Sequence, residues 1–173
     1  MTNERFGIVK FRGQAVTVLG PDLKPGDIAP EFSVQTLEWA PYNGLANTAG
    51  KVRILATLLS LDTDVCDRET RRFILEASTL SKDIAILVIS TDLPFAQNRW
   101  CGAVGVDQVI VLSDHMGVDF GTKYGCLIKE ARILRRAVFV VDRTGTIRYA
   151  AYMPALGEEP KYPEVLAAAQ AAL

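Results

Sequence analysis

Residues 52–73 constrain the fold of this chain more than any other stretch. They begin with an apolar, β-branched run, 52–58, and pass through a short polar segment into a sequence with helical periodicity. The pattern predicts a buried strand, a turn and a helix in succession. Cys66 falls in the first turn of that helix, and one helical face continues from it at positions 70, 73, 77 and 80. We expect the thiol to point inward and to be partly sheltered.

Thr63 stands three residues before Cys66, which is the spacing between a helix N-cap and position N3. We expect its hydroxyl to cap the helix and to meet the Cys66 backbone at the free helix end. Unpaired N–H groups and the macrodipole favour an anion there, and the thiolate is the nucleophilic form of cysteine. Acidic side chains in the same turn oppose this because they repel a thiolate: Asp64, Asp67 and Glu69.

Composition narrows the classes of function. The chain has 173 residues, of which 49% are hydrophobic, so residues 1–173 are predicted to form one globular domain. Its 19 basic and 20 acidic residues give a net charge of −1, and no basic stripe alternates with aromatics, which argues against a nucleic-acid partner. The N-terminus lacks a secretory pattern and the longest apolar runs are strand-sized. We therefore expect a cytoplasmic protein without a membrane span.

The three cysteines, Cys66, Cys101 and Cys126, include no close pair. An odd number without Cys-x-x-Cys spacing argues against a secreted disulfide framework, and no His-rich cluster indicates zinc. We expect no metal and no cofactor. Taken alone, each cysteine is also compatible with a buried, inert thiol.

The rest of the chain alternates between predicted strands and helices, which indicates an α/β sandwich with a mixed sheet. An N-terminal hairpin turns at Gly13-Gln14, and Pro41-Tyr42-Asn43-Gly44 is a second turn signal. Asp92 is predicted to cap a helix that starts near Pro94 and ends at about residue 101. The other predicted strands cover 84–90, 108–112, 136–141 and 146–152, and the other predicted helices cover 66–80, 118–124 and 162–173.

Five segments share features with one known family: FRG at 11–13, GDIAPEF at 26–32, SLDTDVC at 60–66, TDLPFAQNRWCG at 91–102 and RAVFVVD at 136–142. Together they resemble the thiol peroxidases, a branch of the peroxiredoxins, along almost the whole chain. The resemblance implies a thioredoxin-like three-layer sandwich, with a mixed central sheet flanked by helices and an N-terminal β-hairpin.

The resemblance also implies a site. Cys66 matches the peroxidatic cysteine, whose thiolate reduces a hydroperoxide and becomes a sulfenic acid. Thr63 matches the threonine that hydrogen-bonds substrate and thiolate, and Arg136 matches the arginine that stabilises negative charge there. Cys101 matches the resolving cysteine, which forms an intrachain disulfide with Cys66 that a thioredoxin-like reductant reopens. Homodimers are typical of the family, whereas Cys126 matches no redox position.

The chain departs from the family pattern at Leu59, where the motif Pro-x-x-x-Thr-x-x-Cys has proline. Leucine restores a backbone N–H and frees φ, so the loop over the thiol is expected to be looser. Two functions stay open: a peroxidase acting on hydrogen peroxide and small alkyl hydroperoxides, and a degenerate redox sensor or binding protein with little turnover. A general thiol–disulfide oxidoreductase is disfavoured because Cys-x-x-Cys is missing, and a purely structural domain would leave Cys66 and Cys101 unreactive.

Overall fold

A computed structural model describes residues 3–105 and 109–173 of the chain. The elements follow in the order β1 (Glu4–Phe11), β2 (Gln14–Leu19), β3 (Ser33–Gln35), β4 (Pro41–Asn43), a 3₁₀ turn (Ala46–Thr48), β5 (Val52–Thr57), α1 (Asp64–Ala77), β6 (Ile84–Ser90), α2 (Pro94–Val104), β7 (Val109–Ser113), α3 (Asp119–Lys123), β8 (Leu127–Ile128), β9 (Ile133–Leu134), β10 (Ala137–Val141), β11 (Ile147–Tyr152) and α4 (Tyr162–Ala171).

The larger of the two sheets has seven strands in the order β11-β10-β5-β6-β7-β3-β4. The neighbours β5, β6 and β7 run parallel, and the other pairs are antiparallel. The mixed sheet predicted from the sequence is therefore confirmed. Every residue of β5, β6 and β10 is buried, as expected for central strands that are covered on both faces.

The two faces of this sheet carry separate hydrophobic clusters, which give the fold its three layers. Along β6, the even-numbered residues from Ile84 to Val88 join a cluster with α1, α2 and α4, and the odd-numbered residues from Ala85 to Ile89 join a cluster with α3. This alternation follows from the two-residue period of a strand. The predicted three-layer α/β sandwich is confirmed, and Cys66 lies in the cluster beneath α1, α2 and α4.

The N-terminal hairpin is also confirmed. The pair Phe11 and Gln14 closes it, and the two residues between them, Arg12 and Gly13, have φ of 50° and 80°. Positive φ at both positions is what a type I′ hairpin turn requires. The strands β8 and β9 extend the pair into a second sheet of order β1-β2-β8-β9. Each has two residues, which is too short for hydrophobic periodicity to reveal.

The turn expected at residues 41–44 is wrong, because Pro41–Asn43 forms the edge strand β4. Proline is compatible with the first residue of an edge strand, where its missing N–H breaks no central ladder. The chain reverses earlier, at Trp39, which has φ of 65° and donates its N–H to the Thr36 carbonyl.

Helix ends also differ from the expectation, since α1 ends at Ala77 and α2 continues to Val104. The strand expected at 108–112 begins at Val109 within the described residues, and Gln108 lies outside them.

Candidate active site

Cys66 occupies the first turn of α1, which follows β5 after the loop formed by residues 58–63. Its side chain is 0% exposed, so the thiol is fully buried rather than partly sheltered. The burial follows from the helical face it begins, since Thr70 and Phe73 on the same face are buried as well.

Arg136 contacts Cys66 from the opposite side of the site. It immediately precedes β10, whose first residue, Ala137, pairs with Thr57 at the end of β5. This pairing places the guanidinium beside α1, where Nη2 donates to the Cys66 Sγ at 3.2 Å and to the Leu156 carbonyl at 3.2 Å. Burial opposes the charge of Arg136, but the neighbouring Glu69 and Cys66 raise its pKa overall. The side chain that the sequence placed near the thiol is in direct contact with it.

Glu69 completes this buried group and was not predicted to belong to it. Its carboxylate accepts a hydrogen bond from Arg136 Nη1, and both side chains are almost completely buried. The other carboxylate oxygen, Oε1, has no hydrogen-bond partner among the described residues. Burial raises the pKa of Glu69 to about 7, although the positive charge of Arg136 lowers it. Glu69 is thus a buried partner of Arg136 rather than one of several exposed charges around the thiol.

Thr63 is the N-cap residue of α1, as its spacing indicated, but its hydroxyl does not cap the helix. The hydroxyl donates to the Ser60 carbonyl at 3.0 Å, while the Thr63 carbonyl accepts the Asp67 N–H at 2.9 Å. The expected side-chain cap is therefore wrong. The Ser60 carbonyl is within reach because residues 60–63 form a tight turn, closed by a hydrogen bond from the Thr63 N–H to the same oxygen.

Asp92 fixes the loop that precedes Cys66 and does not cap α2, whose N-cap is Leu93. Its carboxylate accepts hydrogen bonds from the Ser60 hydroxyl at 2.7 Å and from the Leu61 N–H at 2.8 Å. It also accepts one from Ser90 at the end of β6. The side chain expected at the helix end therefore ties the Cys66 loop to the central sheet.

Cys101 lies on α2 and is half-buried against the cluster that contains Cys66. Burial raises the pKa of the Cys101 thiol. Its neighbour Trp100 donates from Nε1 to the Asp67 Oδ1 at 2.8 Å, which joins α2 to α1 at residues adjacent to both cysteines. All three cysteines are free thiols in the structure.

Cys126 lies apart from this group, fully buried in the cluster on the opposite face of the sheet. Its sulfur contacts the Tyr124 carbonyl at 3.3 Å, and burial raises the pKa of its thiol to about 12. These surroundings agree with the inert thiol inferred from the sequence.

A pocket of about 390 Å³ opens onto Arg136 and Thr63. Its other walls come from the N-terminal hairpin, from the segment before α1 and from the loop before α4. They are formed by Lys10, Phe11, Arg12, Leu59, Val65, Leu156 and Gly157. The pocket thus gives a small molecule access to the arginine that contacts the Cys66 sulfur.

The described residues contain no group of three or more His, Cys, Asp or Glu side chains arranged to hold a metal ion. Within residues 3–105 and 109–173, no helix is both long enough and apolar enough to cross a membrane.

The structure brings Cys66, at the N-terminus of α1, into contact with Arg136, and both positions are among those that the sequence resemblance singled out. The AhpC/TSA family model matches residues 25–150. The chain belongs to the AhpC/TSA family.

Individual relatives of this AhpC/TSA protein cover nearly its whole length. A thiol peroxidase of Oceanobacillus iheyensis is 47% identical over 91% of this chain and 95% of its own. A thiol peroxidase of Bacillus subtilis is 46% identical over 94% and 96%, respectively. The crystal structure of a peroxiredoxin-like protein from Aquifex aeolicus matches with a TM-score of 0.87 and 36% identity, over 99% of both chains. The predicted membership of the thiol peroxidases and the thioredoxin-like fold are confirmed.

Proposed function

We propose a chemical route by which this chain, a thiol-dependent peroxidase of the peroxiredoxin type, reduces hydroperoxides. The observation that carries the route is the 3.2 Å contact between Arg136 Nη2 and the Cys66 Sγ. In the first step the Cys66 thiolate attacks the terminal oxygen of the hydroperoxide and the O–O bond breaks. Cys66 becomes a sulfenic acid, and the departing oxygen takes a proton from water and leaves as water or an alcohol.

Arg136 and Thr63 assist this step in different ways. A guanidinium that donates to the sulfur favours the thiolate and stabilises the negative charge that develops on the peroxide oxygens. Thr63 lines the same pocket, and its hydroxyl leaves the Ser60 carbonyl to donate to the bound peroxide. Both side chains thus act on the reacting atoms once a peroxide is present.

Cys101 acts in the second step. Its thiol condenses with the Cys66 sulfenic acid, releasing water and forming an intrachain disulfide. A disulfide requires Cα atoms about 4.4–6.8 Å apart, while both residues lie within regular helices joined by the Trp100–Asp67 hydrogen bond. If the reduced fold keeps the two Cα atoms farther apart than this, the first turn of α1, the last turn of α2, or both unfold locally in each cycle. A thioredoxin-like dithiol then reduces the disulfide by exchange and restores both thiols.

The setting of the enzyme is part of the same proposal. Residues 1–173 act as a single domain in the cytoplasm, where unpaired cysteines are typical. The chain forms a homodimer through exposed apolar side chains around Trp39, whose ring lies 4.9 Å from that of Phe95 and 5.1 Å from that of His115. Phe95 is 71% exposed, and Met116, which follows His115 in the sequence, is 64% exposed; exposed apolar side chains that lie together favour an interface.

A redox sensor with little turnover is the alternative. The observation that favours it is Leu59, which stands where the family motif has proline. The side chain is half-buried against the core and lines the pocket beside Arg136. Steady-state peroxide consumption with dithiothreitol or a thioredoxin separates the two functions, because a sensor reacts once and stops.

Thiol counting tests the proposed route directly. One equivalent of hydrogen peroxide is added to the reduced protein and to its C66S, C101S and C126S variants, followed by alkylation and peptide mapping. We expect the unmodified protein and C126S to lose two thiols as a Cys66–Cys101 disulfide, and C101S to stop at a Cys66 sulfenic acid. Survival of all three thiols in the unmodified protein would overturn the proposal.

A further inference from the structure

Two polar residues interrupt the central strand β5, which is otherwise apolar. They are Arg53 near its start and Thr57 at its end, and every residue of the strand is buried. The Thr57 side chain is 0% exposed. A buried hydroxyl group is unfavourable unless it is hydrogen-bonded, and valine has a similar branched shape without that requirement. Burial and strand propensity alone therefore do not account for a threonine at this position.

The Thr57 hydroxyl group forms hydrogen bonds on both sides of Arg136. It donates to the Arg135 carbonyl at 2.7 Å and accepts the N–H of Ala137 at 2.8 Å. The Ala137 carbonyl, at 3.3 Å, is a more distant alternative acceptor. The first two groups belong to the peptide units before and after the Arg136 Cα. One side-chain oxygen thus bridges the two peptide units that determine the direction of the Arg136 side chain.

Thr57 lies on the face of the sheet opposite Cys66. Along β5, Ile54 and Ala56 join the hydrophobic cluster that contains Cys66, whereas Leu55 joins the cluster on the other face. Because strand residues alternate between the two faces, Thr57 shares the face of Leu55. Thr57 does not line the pocket at the active site. Its route to that site is therefore the backbone that carries the arginine.

Other hydrogen bonds hold the same backbone segment. The Arg135 N–H donates to the Cys126 carbonyl at 2.7 Å, and the Arg135 Nε donates to the Gly125 carbonyl at 2.8 Å. The Arg136 carbonyl accepts the Met153 N–H at 3.0 Å. These contacts remain when the Thr57 hydroxyl group is removed. We therefore expect a variant at this position to shift Arg136 rather than to detach the segment from the sheet.

A small shift of Arg136 is enough to affect its contacts. The buried guanidinium donates to the Cys66 Sγ at 3.2 Å, to the Leu156 carbonyl at 3.2 Å and to the Glu69 carboxylate. These contacts depend on the position of one planar group, and hydrogen bonds weaken steeply as their angles depart from linearity. A displacement of about 1 Å near the reacting atoms can slow a reaction about a hundred-fold. The direction of the backbone at Arg136 therefore bears on its contact with the sulfur.

We propose that Thr57 is a positioning residue for Arg136. Its hydroxyl group fixes the two flanking peptide units and so holds the guanidinium against the Cys66 sulfur. The inference rests on the proposed function, in which Arg136 assists the attack of the thiolate on the peroxide. Thr57 takes no part in making or breaking bonds, so its loss slows the reaction without changing the products.

The second-order rate constant for hydrogen peroxide, measured by stopped flow on the reduced protein, tests this role. T57V removes the hydroxyl group and keeps the branched shape, and we expect the rate constant to fall about ten-fold. T57S keeps the hydroxyl group and should react within about two-fold of the unmodified protein. T57A differs from T57S only in the hydroxyl group. This second pair provides the same comparison if the valine variant does not fold.

T48V is the matched control. Thr48 is also a buried threonine, and its hydroxyl group donates to the Gly44 carbonyl at 2.6 Å and accepts the Nε–H of Arg53 at 2.9 Å. Arg53 belongs to the same strand as Thr57 but lies near the end remote from Cys66. We expect T48V and T57V both to lower the free energy of unfolding in urea, because each leaves buried polar groups without a partner. Only T57V should slow the reaction by more than about two-fold.

A double-mutant cycle with R136K shows whether Thr57 acts through the arginine. We expect R136K alone to react about a hundred-fold more slowly. Independent effects multiply, so T57V/R136K would then lose about a thousand-fold. We expect instead a loss close to that of R136K alone, because the guanidinium that the hydroxyl group positions is already absent. A purely structural role for Thr57 would slow the reaction equally in both backgrounds.

The outcomes separate this inference from the proposed function. Unchanged rate constants in T57V and T57A, beside an active unmodified protein, would overturn the role of Thr57 and leave the peroxidase intact. An equal loss in T48V, or independent effects in the double-mutant cycle, would overturn it as well. If the unmodified protein did not consume hydrogen peroxide, the proposed function would be wrong and this inference with it.

Discussion

Replacing Glu69 with glutamine tests whether burial or the ion pair with Arg136 has the larger effect on the pKa of this buried carboxyl group. The carboxylate is fully buried, contacts Arg136, and leaves its Oε1 without a partner among the described residues. Glutamine keeps the size of the side chain and an oxygen that accepts from Arg136, but it carries no charge at any pH. The substitution therefore removes the ionisation of one buried group and little else.

The sign and size of the effect follow from the pKa of Glu69. Burial raises this pKa from 4.5 to about 7 in the folded protein. Between these two pH values the unfolded chain loses the Glu69 proton while the folded chain keeps it, so the free energy of unfolding falls as the pH rises. The difference of about 2.5 pH units between the two pKa values corresponds to about 3 kcal/mol in the free energy of unfolding. About 2–3 kcal/mol of this change falls between pH 5 and pH 8.

Urea unfolding of the reduced protein, followed by circular dichroism at pH 5 and pH 8, measures this quantity. Asp114 is also buried with its pKa raised to about 7, so it adds its own pH dependence to both proteins. The difference between the E69Q variant and the unmodified protein cancels that contribution. We expect E69Q to gain about 2–3 kcal/mol relative to the unmodified protein on going from pH 5 to pH 8. A relative loss would show that the ion pair with Arg136 outweighs burial and would refute the reasoning.

Three further predictions concern the redox cycle. The W100F variant lacks the N–H that Asp67 accepts, so opening the two helices costs about 1 kcal/mol less and the intrachain disulfide should form about five-fold faster in rapid-quench alkylation. An unchanged or slower rate would exclude this hydrogen bond from the barrier. The R136K variant should react with peroxide about a hundred-fold more slowly in stopped-flow experiments, because lysine lacks the planar guanidinium that donates hydrogen bonds to Cys66 and Leu156 together. A loss of less than ten-fold would contradict the role of Arg136. The C126A variant should consume peroxide within about two-fold of the unmodified rate, since burial raises the pKa of this thiol to about 12, and a larger loss would assign Cys126 a part in turnover.

The elements around Cys66 could be predicted because their signals are local. The apolar run that forms β5 and the helical periodicity of α1 are visible within about twenty residues of sequence, and the N-cap position of Thr63 follows from the same spacing. The prediction of a turn at residues 41–44 failed, and the reason is local as well. Proline and asparagine are frequent in turns, but Pro41 also fits the start of an edge strand, and the neighbouring strand β3 decides between them.

Partners that are distant in the sequence could not be predicted in this way. Glu69 and Arg136 are 67 residues apart, and only the pairing of β5 with β10 brings them together. From the sequence alone, Glu69 is one of several acidic neighbours expected to repel a thiolate. Its position three residues after Cys66, on the buried face of α1, is nevertheless a signal that it points inward.

The N-terminal hairpin has a consequence for how proteins of this kind diversify. It supplies Lys10, Phe11 and Arg12 to the pocket, yet it belongs to a small sheet separate from the one that positions Cys66 and Arg136. Mutations in the hairpin can therefore change which molecules enter without disturbing the central sheet. In evolution, the choice of substrate and the reactivity of the sulfur can be adjusted by separate sets of substitutions.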